Sequence, residues 1–380
     1  MNTKLLIHAW AIEKKEGKYF LPFSHWIYLK EIVKYYDEVV LLAGCRYLEG
    51  EANSENIEIT SLKNVSVYEL PAAKNYANSI KHFFSYLKAY RSITGITTYY
   101  SRYPTPFGWL QRIYGKNKER IIHYVGDPAD VTRNNPNFST LKKVILLSGF
   151  SLEVILYRWA CKGAKVYTNG HHLAEKLQKK KIPAIPLISS TLNDSDFHFA
   201  EKTISPKNAN FIYLGYLRTA KGVETVIKAF ALYNKKYPDS TFTIIGSGEF
   251  EQQLKEVVLH NKINNVMFLG RIENREIINQ ELRAADVFLF ASLSEGSPRV
   301  ILEAIANGLA VISTPVGSLP IFFEDKKEIV FAKFNDPHDF YKKMVSLATS
   351  ENKYSTIRHS SYDKVKDLTI SRFIETIFGK

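Results

Sequence analysis

Two kinds of apolar pattern alternate along this chain. Short, mainly apolar runs at residues 4–9, 38–43, 96–100, 121–125 and 165–168, then at 211–214, 241–246, 266–269, 287–290 and 310–313, read as strands buried on both faces, the habit of parallel sheets. Between them lie segments with apolar positions three and four apart. These read as helices over residues 24–35 (with Ser24 as cap), 75–93, 141–161, 223–236, 298–307, 335–348 and 363–379. Strand–helix alternation predicts parallel, doubly wound sheets. Residues 10–23 read as a long mixed loop, residues 44–64 as irregular, and the polar stretch 189–208 as a linker between two domains, 1–200 and 208–360.

The richest chemistry lies at residues 287–317, which read as strand, polar loop, helix and strand. Pro298 suits the first helical position, where no amide hydrogen is needed, and Gly308 suits the end of the helix. Loop glycines and helix N-terminal amides form an anion site. Carboxylates accept hydrogen bonds from paired sugar hydroxyls, so Glu295 and Glu303 are candidates for sugar contacts beside a bound phosphate. An ordinary strand–helix unit with two solvated glutamates is the alternative from spacing alone.

This stretch resembles the donor-binding signature of retaining glycosyltransferases of the GT-B fold, family 4: Glu-Gly-x-Pro-x-Val-x-x-Glu-Ala-x-Ala-x-Gly-x-x-Val-Ile-x-Thr-x-x-Gly, matched from Glu295 through Gly317. The resemblance covers about residues 210–335 and implies an α/β architecture of two Rossmann-like domains facing across a cleft. The first is the acceptor side, with the final helix, about 363–380, packing back on it; the second binds a nucleotide diphosphate sugar. The resemblance implies that Glu295 contacts the donor sugar, Glu303 the ribose, and the amides at Gly296, Ser297, Pro298, Arg299 and Val300 the diphosphate region. The pattern Gly-Arg-Leu-x-x-x-Lys-Gly is matched at Lys221, while its arginine position holds Tyr216; Arg218 is the candidate substitute. Fixed cations there would stabilise a departing diphosphate. Gly246 and Gly248 resemble the glycine turn beside the nucleotide, and Arg271 marks where the base is held. Gly17 is the one glycine available in the first loop. His123, Asp127 and Arg102 lie at carboxyl ends of strands, where α/β sheets bind ligands. The resemblance implies an active-site His or Asp near this point, which makes His123 a catalytic candidate, with His123 and Asp127 in acceptor-side or transition-state roles and Arg102 on the acceptor side.

Length and a 45% hydrophobic content accommodate two packed domains. Two cysteines, Cys45 and Cys161, exclude a disulfide framework and fit a reducing, cytoplasmic setting. No stretch approaches 18 consecutive apolar residues, so no membrane span is expected; residues 141–161 are expected as a buried helix, with shallow membrane insertion the alternative. The helix at 75–93 interleaves aromatic and basic residues and is expected to pack on a core. The net charge is +13, and residues 101–204 carry 16 basic against 8 acidic side chains, +8 of that total. Such a segment points to anionic partners: a membrane surface at the inner face or a lipid-linked acceptor. Nucleic-acid motifs are absent.

No cofactor or metal is implied, the nucleotide sugar being substrate. Asp194-Ser195-Asp196 is set aside as a metal motif, and His171 and His172, adjacent on a helix, diverge. The expected activity is transfer of a hexosyl unit, with retention, to a hydroxyl of a glycan or polyprenyl-linked acceptor in bacterial surface polysaccharide synthesis. A sugar-nucleotide epimerase and a non-catalytic basic surface binder are the alternatives.

Overall fold

A computed structural model describes residues 2–48, 56–59, 61–73, 77–134 and 138–379. Two compact units form, Met1–Thr191 with Ile370–Lys380, and Leu192–Thr369. The first is built on β1 (Lys4–His8), β2 (Ile12–Lys15), β3 (Lys18–Pro22), β4 (Glu38–Tyr47), β5 (Asn56–Glu58), β6 (Val65–Pro71), β7 (Thr98–Tyr103), β8 (Glu119–Tyr124), β9 (Lys165–Asn169) and β10 (Ile185–Leu187). They form one sheet in the order β10-β9-β8-β7-β1-β4-β2-β3-β5, with β6 on β4. All pairings are parallel except β2 with β3 and β3 with β5. Alternation along β1 and β4 sorts the core: Leu5, Ile7, Val39 and Leu41 face one layer, Leu6, Val40 and Leu42 the other. The first layer is covered by helix Phe23–Ile32 and by Ile370, Ile374 and Phe378 of the terminal helix. The second is covered by Tyr86 and Tyr90 of helix Phe83–Ser92 and by Tyr157 and Ala160 of helix Thr140–Cys161.

Several expectations need correction. The expected loop over residues 10–23 instead holds the β2–β3 hairpin, Ile12–Lys15 and Lys18–Pro22. Its two-residue turn holds Glu16 at φ 49° and Gly17 at φ 80°, the twist a tight hairpin needs. Pro22, not Ser24, precedes the first helix, with no side-chain cap. Within 44–64, β4 continues to Tyr47 because β6 pairs with it as far as Cys45. The helix expected from residue 75 is a 3-10 turn, Ala77–His82, followed by helix Phe83–Ser92; Lys74, Asn75 and Tyr76 lie outside the described residues. The single last helix is two, Glu351–Val365 and Ile370–Phe378.

Helix Thr140–Cys161 departs most from expectation. Only its final turns are buried; Leu141, Ile145, Leu152 and Ile155 are more than half exposed, as is Val144. Its polar side chain Glu153 points inward, accepting from the Phe107 amide at 2.8 Å and from Trp109 Nε1 at 3.0 Å. Tyr157 donates to the Thr105 carbonyl at 2.7 Å. The helix therefore buries polar anchors and presents aliphatic side chains outward. Among the described residues it is the one helix long and apolar enough to cross a membrane, with mean hydropathy 1.5 over 18 residues. The sequence leads to the expectation of a buried helix here, with shallow membrane insertion the alternative.

The second unit is a six-stranded parallel sheet of β11 (Asn210–Leu214), β12 (Thr241–Ile245), β13 (Val266–Gly270), β14 (Val287–Phe290), β15 (Ala310–Ser313) and β16 (Val330–Phe331), in the order β13-β12-β11-β14-β15-β16. The last four residues of β11, β12 and β15 and all of β14 are buried, as continuous apolar runs require. The expected linker is not free chain. His198 N donates to the Ala306 carbonyl at 2.7 Å, and buried Arg358 donates to the carbonyls of Gly308 and Ala200, both at 2.6 Å. Those bonds fix residues 198–202 to the unit.

Truncating Ile374 to Ala opens a cavity under the first layer. The expected loss is about 2–5 kcal/mol, read as an earlier urea-unfolding transition of the first unit. Wild-type behaviour would mean that the terminal helix contributes little.

Candidate functional site

In the second unit the strand order reverses between β11 and β14. Their successors run to opposite sides, leaving a crevice at the carboxyl ends, the usual ligand position in such sheets. The loop 215–222 leaves β11 and the loop 291–298 leaves β14. They are stitched together: Leu293 N donates to the Ala220 carbonyl at 2.9 Å and Ser292 Oγ to the same carbonyl at 3.2 Å. Thr314 Oγ1 donates to the Ser292 carbonyl at 2.6 Å, and Ser318 N to the Gly296 carbonyl at 2.9 Å. On this frame the Lys221 ammonium pairs with Glu295, and both side chains are largely shielded, 15% and 20% exposed. Ser292 Oγ lies 3.4 Å from the same carboxylate. Arg218 is exposed at the start of the 3-10 turn Thr219–Lys221, and its charge, like that of Glu295, reaches Tyr213. Tyr216, at the arginine position of the signature, is 65% exposed.

A third loop closes against these. Leu217 N donates to the Ser247 carbonyl at 3.0 Å and Phe250 N to the Leu217 carbonyl at 2.9 Å. A Cβ on Gly246 would lie 1.9 Å from the Gly215 carbonyl oxygen, at a φ of 138°, so only glycine lets the two turns touch. Gly248 lies against Leu217 in the same way. Arg271 follows β13, with its Nε 3.5 Å from Glu273.

Helix Arg299–Ala306 begins one residue later than expected: Pro298 is its N-cap, not its first residue, with φ −74° and ψ 106°. Gly296 is exposed, and Ser297, Arg299 and Val300 are partly so, around the helix's first turn, whose amides have no acceptor within the helix. Glu303 projects from this helix to a partner that sequence reading missed. Arg275 Nη1 donates to Glu303 at 2.8 Å, and Arg275 Nε lies 3.3 Å from Asp196. Asn279 donates to Asp196 at 3.1 Å, and Asp196 accepts from the Asn193 amide at 2.8 Å. Asp196 is thus spent on structure, anchoring the arginine that orients Glu303. Nothing local in the sequence marks Arg275, whose partners lie 28 and 79 residues away.

The remaining candidates lie in the first unit. His123 is buried. Its Nε2–H donates to Asn169 Oδ1 at 2.8 Å, and Nδ1 accepts from the Tyr100 hydroxyl at 3.0 Å. Burial, helped by nearby Arg102, lowers its pKa to about 3. Both ring nitrogens of His123 are engaged and burial keeps the ring neutral, so these bonds hold it in place at the carboxyl end of β8. Arg102 and His123 line one small cavity, and Arg102 Nε is buried there without a hydrogen-bond partner. Asp127 pairs with Lys176 and accepts from the Ala129 amide at 2.9 Å. Burial opposes its charge, but these two donors outweigh it and hold the carboxyl below the usual range. Gly17 sits in the hairpin turn; the structure does not bring it to a group of other candidates in this unit.

Residues 194–364 match the family model described as glycosyl transferases group 1. The chain is similar to an uncharacterised glycosyltransferase of Methanocaldococcus jannaschii, 24% identical over 311 residues, 80% of each chain. It is also similar to the alpha-monoglucosyldiacylglycerol synthase of Acholeplasma laidlawii, 26% identical over 198 residues, 51% of this chain and 48% of that one. Among solved structures, Anabaena HepE in complex with UDP superposes with a TM-score of 0.67 at 15% identity, over 99% of this chain and 98% of that one. The fold is GT-B, two Rossmann-like α/β units.

Replacing Arg275 by Ala leaves the Asp196 and Glu303 carboxylates without their shared donor. The expected cost is about 1–3 kcal/mol in guanidinium unfolding; an unchanged midpoint would show the arginine to be dispensable. His8, also buried, has its pKa lowered to about 3 by burial. Both histidines are depressed, so their contribution is complete above about pH 6.5 and is lost as pH falls below it, by about 1.4 kcal/mol per pH unit each. His123→Gln should reduce the pH slope of stability between about pH 6.5 and 4 by about 1.4 kcal/mol per pH unit, the share of His8 remaining; a slope equal to wild type would contradict the depressed pKa of His123.

Proposed function

From a chain whose second unit carries a glycosyl transferases group 1 domain on a GT-B fold, we infer a retaining glycosyltransferase of family 4 type that moves a hexosyl unit from a nucleotide diphosphate sugar to an acceptor hydroxyl. The observation that carries this is the Lys221–Glu295 pair at the strand-order reversal, with Glu303 eight residues further on. A diphosphate entering the crevice competes for Lys221, and helix first-turn amides and Arg218 add to its binding. Glu295, released from Lys221, accepts from sugar hydroxyls. Glu303, held by Arg275, accepts from the ribose.

In the transfer the bond between the anomeric carbon and the diphosphate oxygen breaks, and a bond to the acceptor oxygen forms on the same face. The acceptor proton passes to the departing phosphate. Lys221 stabilises the charge that develops there. No metal is assigned a part in this reading. Similarity to a glucosyldiacylglycerol synthase and the excess positive charge of residues 101–204 support an acceptor that is lipid-linked, met at an inner membrane face during surface polysaccharide or glycolipid synthesis.

A thermal-shift panel of UDP-, GDP-, ADP-, TDP- and CMP-sugars, with and without EDTA, identifies the donor through ligand stabilisation. One EDTA-insensitive donor is expected. With it, Lys221→Ala should lower transfer about 10²–10³-fold. Transfer at the wild-type rate in Lys221→Ala and Glu295→Ala, or epimerised sugar nucleotide as product, would overturn the reading.

A further inference from the structure

The first unit contains a cavity of about 320 Å³, within the usual range of ligand pockets of about 300–1,000 Å³. Its floor is Tyr103 and Tyr124, at the carboxyl ends of β7 and β8. One wall is helix Thr140–Cys161, through Leu147, Phe150, Val154 and Ile155; another is helix His171–Gln178, through Leu173 and Leu177. Four cations, Arg133, Arg158, Lys176 and Lys180, surround this apolar interior, and Asp127 is the one carboxylate among the described lining residues. Arg158 Nε is buried with no hydrogen-bond partner. Desolvation, then the charges of Arg158 and Lys176, press the Lys180 ammonium below its ordinary range, with Asp127 only partly offsetting them. Cations crowd together at such cost where an anion completes the site.

The apolar surroundings say what the anion is attached to. Ile155 lines the cavity and is itself 58% exposed. It joins Leu141, Ile145 and Leu152 in an exposed stripe at helical spacing on the same helix. Glu153 of that helix is turned inward, while Lys142, Ser148 and Ser151 share the exposed surface, yet the aliphatic stripe itself gains nothing from water. A nucleotide or free glycan would leave it in water. A phosphate joined to a long hydrocarbon chain uses both parts.

We propose that the cavity seats the phosphate of a lipid, a phosphate ester on a long apolar chain, with the chain running along the exposed stripe of helix Thr140–Cys161 into the leaflet. Calling that lipid the acceptor rests on the transferase reading; the binding site does not. Arg158 supplies the buried donor, Lys180 and Lys176 flank the phosphate, and Leu147, Val154 and Ile155 hold the first methylenes.

The test is vesicle flotation of the full-length protein. Neutral phosphatidylcholine vesicles are compared with the same vesicles carrying undecaprenyl phosphate or, separately, phosphatidylglycerol. Wild type is expected to float with at least one phosphate-bearing lipid and not with phosphatidylcholine alone. Arg158→Gln/Lys180→Gln should cut the bound fraction several-fold. Lys180→Gln alone, at an exposed position, keeps the test available should the double variant fail to fold. Ile145→Ser/Leu152→Ser should weaken binding as well. Equal flotation of wild type and the cation variants would overturn the proposal, as would equal binding to neutral vesicles. Stabilisation by inorganic phosphate without flotation would also overturn it, assigning the cavity to free phosphate. Flotation that depends on the cations, in a protein that no sugar nucleotide stabilises, would uphold this site and sink the transferase reading instead.

Discussion

The ion pair between Lys221 and Glu295 is the contact on which the proposed donor site of the second unit depends. Neither residue is near the other in sequence, and neither sits on a regular strand or an α-helix. They meet because β11 and β14 are neighbours in the sheet and their loops are stitched through Ala220, Ser292 and Gly296. The pair is shielded enough to be worth more than a surface contact, yet its cation lies where a diphosphate would bind. An internal carboxylate holds the lysine in place, and in the proposed transferase a diphosphate would compete for it. Arg275 plays the complementary part for Glu303, with Asp196 and Asn279 as its supports.

The first unit solves a different problem. Its sheet is covered on both layers, yet one long helix turns Glu153 and Tyr157 inward and aliphatic side chains outward. Exposed aliphatic surface of this kind costs about 25 cal/mol for every Å² left in water. A nearby cavity ringed by four cations makes a second demand, for an anion. One amphiphilic ligand meets both.

Much of this was legible in the sequence. Mainly apolar runs located the second unit's first five strands to within a residue, because parallel strands buried on both faces leave no other pattern. The Glu295–Gly317 signature located the crevice. What stayed hidden came from tertiary context. The β2–β3 hairpin reads as a mixed loop because its residues are only partly buried. Arg275 gives no local signal, since its meaning comes from Glu303 and Asp196, far away in the chain. The exposure of helix Thr140–Cys161 is invisible to periodicity, which reports an apolar face and not what covers it. His123 sat at the right end of a strand, but its two hydrogen bonds come from β7 and β9.

The central claim is that Lys221 receives a diphosphate. Its most direct measurement is calorimetric titration of the preferred nucleoside diphosphate and the matching monophosphate into wild type and Lys221→Ala. The account predicts that the diphosphate binds wild type much more tightly than the monophosphate, and that the gap collapses in the variant. Equal affinities in wild type, or a gap that survives the loss of Lys221, would contradict it.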